Sequence, residues 1–280
     1  MVKTTFADYG EEIDYQREVW QRKAALRTVY EQWYGNCADA LSGLTPTVEI
    51  GAGCGNFKAY YPREIASDVL YGRNWIELVM DAQYLALAAN GIGNLIAFDV
   101  MHHLQRPLEF LRQALWALKP GGRLVLCEPA LTPWSRFVYR AFHHEPLDSG
   151  WDLFGLDGSP PEPDPGHAFA NMAIAEILFW RQRARTLKLL PGFKMVKARK
   201  FGFVLYPLSG GFGYRCFLPE TGLSFLLRLE EAFTRPVARR LTGMRMLVVL
   251  EKRARPQIPA DSNPFPRLAR GVALGRNDDR

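Results

Sequence analysis

Short apolar runs alternate with polar or amphipathic stretches over the first half of the chain. Thr47–Ile50, Glu64–Val69, Trp75–Met80, Asn94–Phe98 and Arg123–Cys127 each read as a buried strand. Pro107 opens a helix that carries Leu108, Leu111, Leu115 and Leu118 on one face, and Lys119-Pro120-Gly121-Gly122 stops it. Upstream, residues 12–43 read as helix, because Trp20, Ala24, Leu26, Tyr30, Trp33 and Tyr34 recur at three- and four-residue steps; Gly35 or Gly43 interrupts or ends it. Strands alternating with helices at this spacing predict an α/β fold with a largely parallel sheet.

The rhythm is lost between Pro129 and Pro191. Aromatic residues, histidines and the Gly/Pro-bearing stretch 155–166 suggest an insertion folded over the carboxyl edge of the sheet, with a long helix over His167–Leu190. Lys194–Tyr206 and Met244–Leu250 read as the last strands, around a helical segment at Leu223–Leu241 that faces the sheet or a second subunit. The expected organisation is a helical cover at 1–44, a ligand-binding core at 45–130, an acceptor-side insertion or lid at 131–190, strands and a helix completing the sheet at 191–253, and a flexible basic tail at 254–280.

A chain of 280 residues with 48% hydrophobic and 23% charged residues can bury a full-sized core. It has no run of about 18 apolar residues, which argues against a membrane span. Asp8, Glu11, Glu12 and Asp14 argue against a targeting leader. Cys37, Cys54, Cys127 and Cys216 show no metal-ligand spacing, so a reducing, cytoplasmic setting is expected. The net charge is +6, and residues 251–280 hold half of it. This tail allows peripheral association with an anionic surface, although a solvated tail without a partner is the plainer reading.

The strongest local chemistry is Glu49-Ile50-Gly51-Ala52-Gly53-Cys54-Gly55, directly after the first strand. Glycines there let the backbone turn tightly and approach a ligand. A dinucleotide loop would require glycine at the position of Asn56, and a pyrophosphate would disfavour Glu49 nearby, whereas a cationic sulfonium tolerates it. Asp68, ending the next strand, is placed to accept hydrogen bonds from ribose hydroxyls. Asp81 after the third strand can take an adenine amino group, with the Ala82 N–H facing a ring nitrogen. Either acid can instead be a helix cap or a solvated loop residue.

These pieces, together with Phe98-Asp99-Val100-Met101-His102-His103-Leu104 and Lys119-Pro120-Gly121-Gly122-Arg123, resemble class I S-adenosylmethionine-dependent methyltransferases, the bacterial small-molecule group called methyltransferase domain type 11 above all. The resemblance covers residues 45–130, with the pieces in family order. It implies a Rossmann-like α/β fold whose seven-stranded sheet has the order 3-2-1-4-5-7-6, the last strand antiparallel and an insertion after strand 5. It further implies S-adenosylmethionine as cofactor, leaving S-adenosylhomocysteine. Glu49, Gly51, Ala52, Gly53 and Gly55 would surround its methionine part, Asp68 its ribose, and Asp81 with Ala82 its adenine, while Asp99 would line the pocket. Only six residues separate Gly55 from Pro62, so the first crossover helix must be short.

For chemistry, all five histidines lie between positions 102 and 167. His103 and His144 are the candidate general bases for a hydroxyl acceptor, since imidazole titrates near neutral pH. His102, His143, Glu145 and Trp151 are candidate acceptor contacts. No metal is expected; the alternative is a divalent ion held by Asp99, His102 and His103, with His144 and Glu145 as further ligands. Trp134, Phe137, Tyr139, Phe142, Phe154, Phe169, Phe179 and Trp180 suit an aromatic cover over an apolar acceptor, or plain core.

The leading reading is an enzyme that methylates a small molecule, through oxygen on a natural-product, sugar or lipid-linked intermediate. A nucleic-acid methyltransferase, suggested by Lys194, Lys197, Arg199 and Lys200, is the weaker fit, because the residues after strand 4 lack the motif used for base amino groups. A non-catalytic cofactor-binding subunit and a nicotinamide-dependent oxidoreductase are the remaining alternatives, and the chain is expected as a monomer or homodimer.

Overall fold

A computed structural model of the chain describes residues 6, 8–143, 145–154, 169–219, 221–233 and 236–254. His144, the Gly/Pro-bearing stretch and most of the basic tail fall outside the described residues. The strands are β1 (Thr47–Ile50), β2 (Glu64–Asp68), β3 (Leu78–Val79), β4 (Ile92–Phe98), β5 (Leu118–Pro129), β6 (Phe193–Phe201) and β7 (Arg245–Lys252). They form one sheet of order β3-β2-β1-β4-β5-β7-β6, the order implied by the resemblance. β1 to β5 pair in parallel, and β7 runs antiparallel to both neighbours. Strand order reverses between β1 and β4, so the loops leaving their carboxyl ends stand side by side. In an open α/β sheet this switch point is where ligands bind.

Period-two alternation divides the strand residues between two cores. Val48, Ile50, Leu95, Ala97, Leu124 and Leu126 pack with the helix α4 (Pro107–Ala117) and with Ile174–Phe179. Ile96, Phe98, Val125, Cys127, Leu247 and Val249 pack on the other face against α2 (Ala24–Ala38). α2 buries Leu26, Val29, Tyr30, Trp33, Tyr34 and Cys37, the helical spacing seen in the sequence.

The single helix expected over residues 12–43 is two. Lys23 leaves helical geometry at φ −104, ψ 87 and separates α1 (Tyr9–Arg22) from α2. Its ammonium is held by the carbonyls of Gly211 and Tyr214, which fixes the bend. α1 therefore turns away from the sheet core and crosses the loop after β1. The first crossover helix, α3 (Asn56–Tyr60), is as short as the spacing requires.

Other boundaries differ for local reasons. β3 covers only the end of the expected Trp75–Met80 strand, because Trp75 turns inward, its indole N–H donating to the Gly53 carbonyl at 2.8 Å. α4 stops at Ala117, but Lys119–Gly122 joins β5 through a register break instead of ending as a loop. α5 spans Pro133–Phe142, capped by Thr132.

The helix expected from His167 to Leu190 starts later, since residues 169–173 form loop and turn; from Ile174 it runs in three pieces: Ile174–Glu176, a wide π turn over Ile177–Arg181, and Arg183–Leu189. The Thr186 hydroxyl donates to the Leu178 carbonyl at 2.7 Å, bridging that irregular turn. β6 ends at Phe201 rather than Tyr206, and Leu205–Ser209 forms a helical turn that packs Tyr206 4.9 Å from Trp33, ring centre to ring centre. The segment expected as helix at Leu223–Leu241 is two helices, Leu223–Phe233 and Pro236–Thr242, with Leu223 and Leu227 buried against α2's core.

Candidate functional site

The loop after β1 is built on glycine. Gly51, Gly53 and Gly55 have φ of 68°, 47° and 71°, the left-handed region that side chains resist. A Cβ at Gly51 would lie 2.4 Å from the Val100 side chain, and one at Gly55 would lie 2.6 Å from Trp75. The contact with Val100 joins this loop to the one after β4. Asp68 ends β2 directly opposite, and its Oδ2 accepts the Gly53 N–H at 2.7 Å while Oδ1 accepts the Leu70 N–H at 3.1 Å. Burial raises its carboxyl pKa, and hydrogen bonds from the Gly53, Leu70 and Val69 amides and the Tyr9 hydroxyl work against that rise.

α1 covers this loop. Ile13 and the Tyr9 hydroxyl stand over Gly53, and Arg17 bonds the Cys54 carbonyl and stacks 3.6 Å above the Trp75 ring. Arg73 adds a 2.8 Å ion pair to Asp14. Ile13, Cys54, Leu70 and Trp75 thereby make a small apolar cluster of their own.

Glu49 is buried below the loop beside Glu64 of β2. Burial and the neighbouring Glu64 carboxyl raise its pKa well above the usual range, and burial pushes Glu64 up to about 7. Asp81 is exposed and closes a turn, accepting the Gln83 N–H at 2.7 Å, while Ala82 is buried beside it.

A second cluster occupies the loop after β4. Glu128, at the end of β5, accepts the N–H groups of Val100 and Met101 on Oε1, at 3.0 and 2.8 Å. Its Oε2 lies 2.8 Å from Nδ1 of the buried His102. On the other side of that ring, Nε2 faces Glu145 at 3.5 Å. Burial alone would lower the His102 pKa, but hydrogen bonds to Glu128 and Glu145 lift it to about 10. His102 is thus held as an imidazolium between two carboxylates. Despite burial, His102 also keeps Glu128 and Glu145 ionised, their pKa values below the usual range.

His103 differs from its neighbour. Its side chain is 40% exposed, its Nε2 lies 3.7 Å from Glu145, and its Nδ1 lies 3.2 Å from the Phe169 carbonyl. Burial and the charged His102 lower its pKa, so it is neutral near pH 7. His143 Nδ1 is 3.8 Å from Glu145, and Trp151 packs edge-on against Phe169, ring centres 5.3 Å apart.

The trio Asp99, His102 and His103 does not meet at one point: Asp99 converges with His102 and Glu128, whereas His103 converges with His102 and Glu145. Asp99, with φ 58°, is committed to Arg245 at 2.6 Å. Arg245 is itself buried, within 4.9 Å of the Trp33 ring centre. The basic residues of β6 are largely neutralised: Lys194 pairs with Glu251, Arg199 with Glu231, and Lys200 with Glu176.

Sequence reasoning placed Gly51, Gly53, Gly55, Asp68, His102, His103 and Glu145 around one sheet edge. It missed Glu128, Arg245, Tyr9, Arg17 and Trp75. Only Glu128 left a trace, a carboxylate ending an otherwise apolar central strand.

No family model and no curated protein matches the sequence. Solved structures do resemble the chain. An S-adenosylmethionine-dependent methyltransferase from Archaeoglobus fulgidus is 16% identical, over 81% of this chain and 94% of its own, with a TM-score of 0.48. One from Thermotoga maritima is 15% identical, over 86% and 99%, with a TM-score of 0.49. The 4+2 cyclase SpnF is 13% identical, over 80% of each chain, with a TM-score of 0.43. Identities this low speak of chain architecture alone, and the chemistry rests on the residues. The strand order and the switch-point site make this chain a Rossmann-like α/β protein of the class I methyltransferase fold.

Proposed function

We propose that the protein is an S-adenosylmethionine-dependent methyltransferase acting on a small molecule. The observation that carries this reading is the pairing of Asp68 with the left-handed glycine loop, the Gly53 N–H bonded to its carboxylate at 2.7 Å. The residues fit the cofactor: the bare backbone of the loop offers close approach, and the carboxylate at the end of β2 offers acceptors to a ribose. Gly51, Gly53, Gly55 and Asp68 would hold it, with Asp81 and Ala82 toward its base. When bound, it supplies a methyl group on a cationic sulfonium. Tyr9 and Ile13 lie over Gly53, so α1 must shift to admit it.

The acceptor side is the His102–His103–Glu145 cluster, tied to the glycine loop through Val100. His102 is protonated and gripped on both nitrogens, so it orients its neighbours. His103 is neutral and half exposed, and takes the proton from an acceptor hydroxyl. Pairing of the β6 cations with nearby carboxylates favours a small acceptor over a nucleic acid.

Calorimetry with S-adenosylhomocysteine tests the reading. The unaltered chain should bind it, and Asp68→Ala should weaken binding by about 1–3 kcal/mol, the worth of hydrogen bonds to a charged group. Equal affinity in the two proteins would overturn the site.

A further inference from the structure

The two histidines after β4 are oriented in the same unusual way. Each offers Nδ1 to an acceptor of the protein, His102 to the Glu128 carboxylate at 2.8 Å and His103 to the Phe169 carbonyl at 3.2 Å. Each turns Nε2 toward the same carboxylate, Glu145, at 3.5 and 3.7 Å. An acceptor on Nδ1 fixes the tautomer whose Nε2 lone pair faces a metal; His103 already presents it, and His102 presents it once an ion displaces the second proton of its imidazolium.

From this convergence we infer that His102, His103 and Glu145 form a binding site for a divalent transition metal of the zinc type. The three donor atoms lie within 4.8 Å of one another. A tetrahedral ion with bonds of roughly 2.0–2.1 Å would set its ligands about 3.4 Å apart, and the two nitrogens stand 3.5 and 3.7 Å from different oxygens of the same carboxylate, so a small inward shift of the ligands closes the site. Two imidazoles and one carboxylate suit zinc, cobalt or iron better than magnesium, which takes oxygen ligands. Charge also balances, since Glu128 and Glu145 offset a doubly charged ion once the imidazoles are neutral. Three protein ligands leave a fourth position for an outside oxygen, water or acceptor hydroxyl.

The site rests on this geometry and goes beyond methyl transfer. Its catalytic consequence rests on the methyl-transfer reading: a hydroxyl on the ion would release its proton to solvent near neutral pH, and the oxygen would then take the methyl as the sulfonium S–C bond breaks, so an occupied site relieves His103 of the proton's removal.

The test is titration of the full-length, EDTA-stripped protein with Co(II), followed by its visible absorption, and equilibrium dialysis against Zn(II). One ion per chain with a saturating absorption band is expected. The double variant His103→Ala/Glu145→Gln should lose saturable binding, and Glu128→Gln should weaken it by about 10–100-fold. Circular dichroism of each variant confirms that it is folded. An unaltered chain that binds no ion, or a folded double variant that binds as well as the parent, overturns the inference. S-adenosylhomocysteine calorimetry on the same samples reads the cofactor site separately, so either reading can fail while the other stands.

Discussion

Glu128→Gln in metal-free protein probes the pairing that organises the loop after β4. The amide keeps the side-chain volume, and its oxygen can still accept the Val100 and Met101 N–H groups now held by Oε1. What changes is the atom facing His102 Nδ1, from an anionic acceptor at 2.8 Å to a neutral donor. The rise of the His102 pKa from 6.5 to about 10 corresponds to about 5 kcal/mol of preference for the imidazolium. Glu128 stands nearer the ring than Glu145, at 2.8 against 3.5 Å, and holds the larger share. The variant should therefore lose about 2–3 kcal/mol, within the range for breaking a buried pair. Because the folded pKa lies above the unfolded one, this stabilisation is complete below pH 6.5, down to where the carboxylates titrate. It fades as pH rises toward about 10. Denaturant unfolding in EDTA at several pH values measures it. The parent and variant should differ most near pH 6 and converge near pH 10. A difference independent of pH, or a His102 ring that titrates near 6.5 by imidazole NMR in the parent, would refute the argument.

Further outcomes follow from the same contacts. Gly55→Ala places a Cβ 2.6 Å from Trp75 at φ 71°, and Trp75 is pinned by Arg17 and Gly53; a loss of about 2–4 kcal/mol in thermal or denaturant unfolding is expected. Arg245→Met strands Asp99 beside the buried end of β7 and should cost about 2–4 kcal/mol, moderated because the Asp99 side chain is 30% exposed to water; Asp99→Asn added to it should recover part of that loss. In metal-free protein with an acceptor that turns over, kcat/KM should fall only below pH 6.5, where the depressed His103 titrates, and His103→Gln should remove that acid limb. Tyr9→Phe frees one bond to Asp68, so S-adenosylhomocysteine should bind more tightly, by up to about 1 kcal/mol in calorimetry.

The parts of the fold carried by periodicity were legible in the sequence. Val48, Leu95 and Leu124 alternate with Ile96, Val125 and Val249 across the sheet, and Lys119–Gly122 marked the end of α4. The glycine loop was legible because few residues tolerate those backbone angles, and Asp68 because a carboxylate closes the next strand. The break at Lys23 was not, since its cause is a pair of carbonyls nearly two hundred residues away. The role of Trp75 was hidden for a similar reason: its apolar neighbours read as strand, but a distant carbonyl captures its indole. Of the histidine–glutamate cluster, His102 and Glu145 were visible as candidates, whereas the Glu128 that locks His102 came from another strand's end, and only topology brings the two together.

If the glycine loop holds the donor as proposed, the seat of α1 upon it sets a thermodynamic toll on binding. Whatever free energy holds Tyr9, Ile13 and Arg17 in place is subtracted from the intrinsic affinity, so a closed state favoured by about 1.4 kcal/mol weakens apparent binding tenfold. The same subtraction applies to the spent by-product, which would occupy the same loop. A helix that competes with both molecules weakens the apparent affinity for each by the same factor, and a looser N-terminal segment would restore the intrinsic affinity to both.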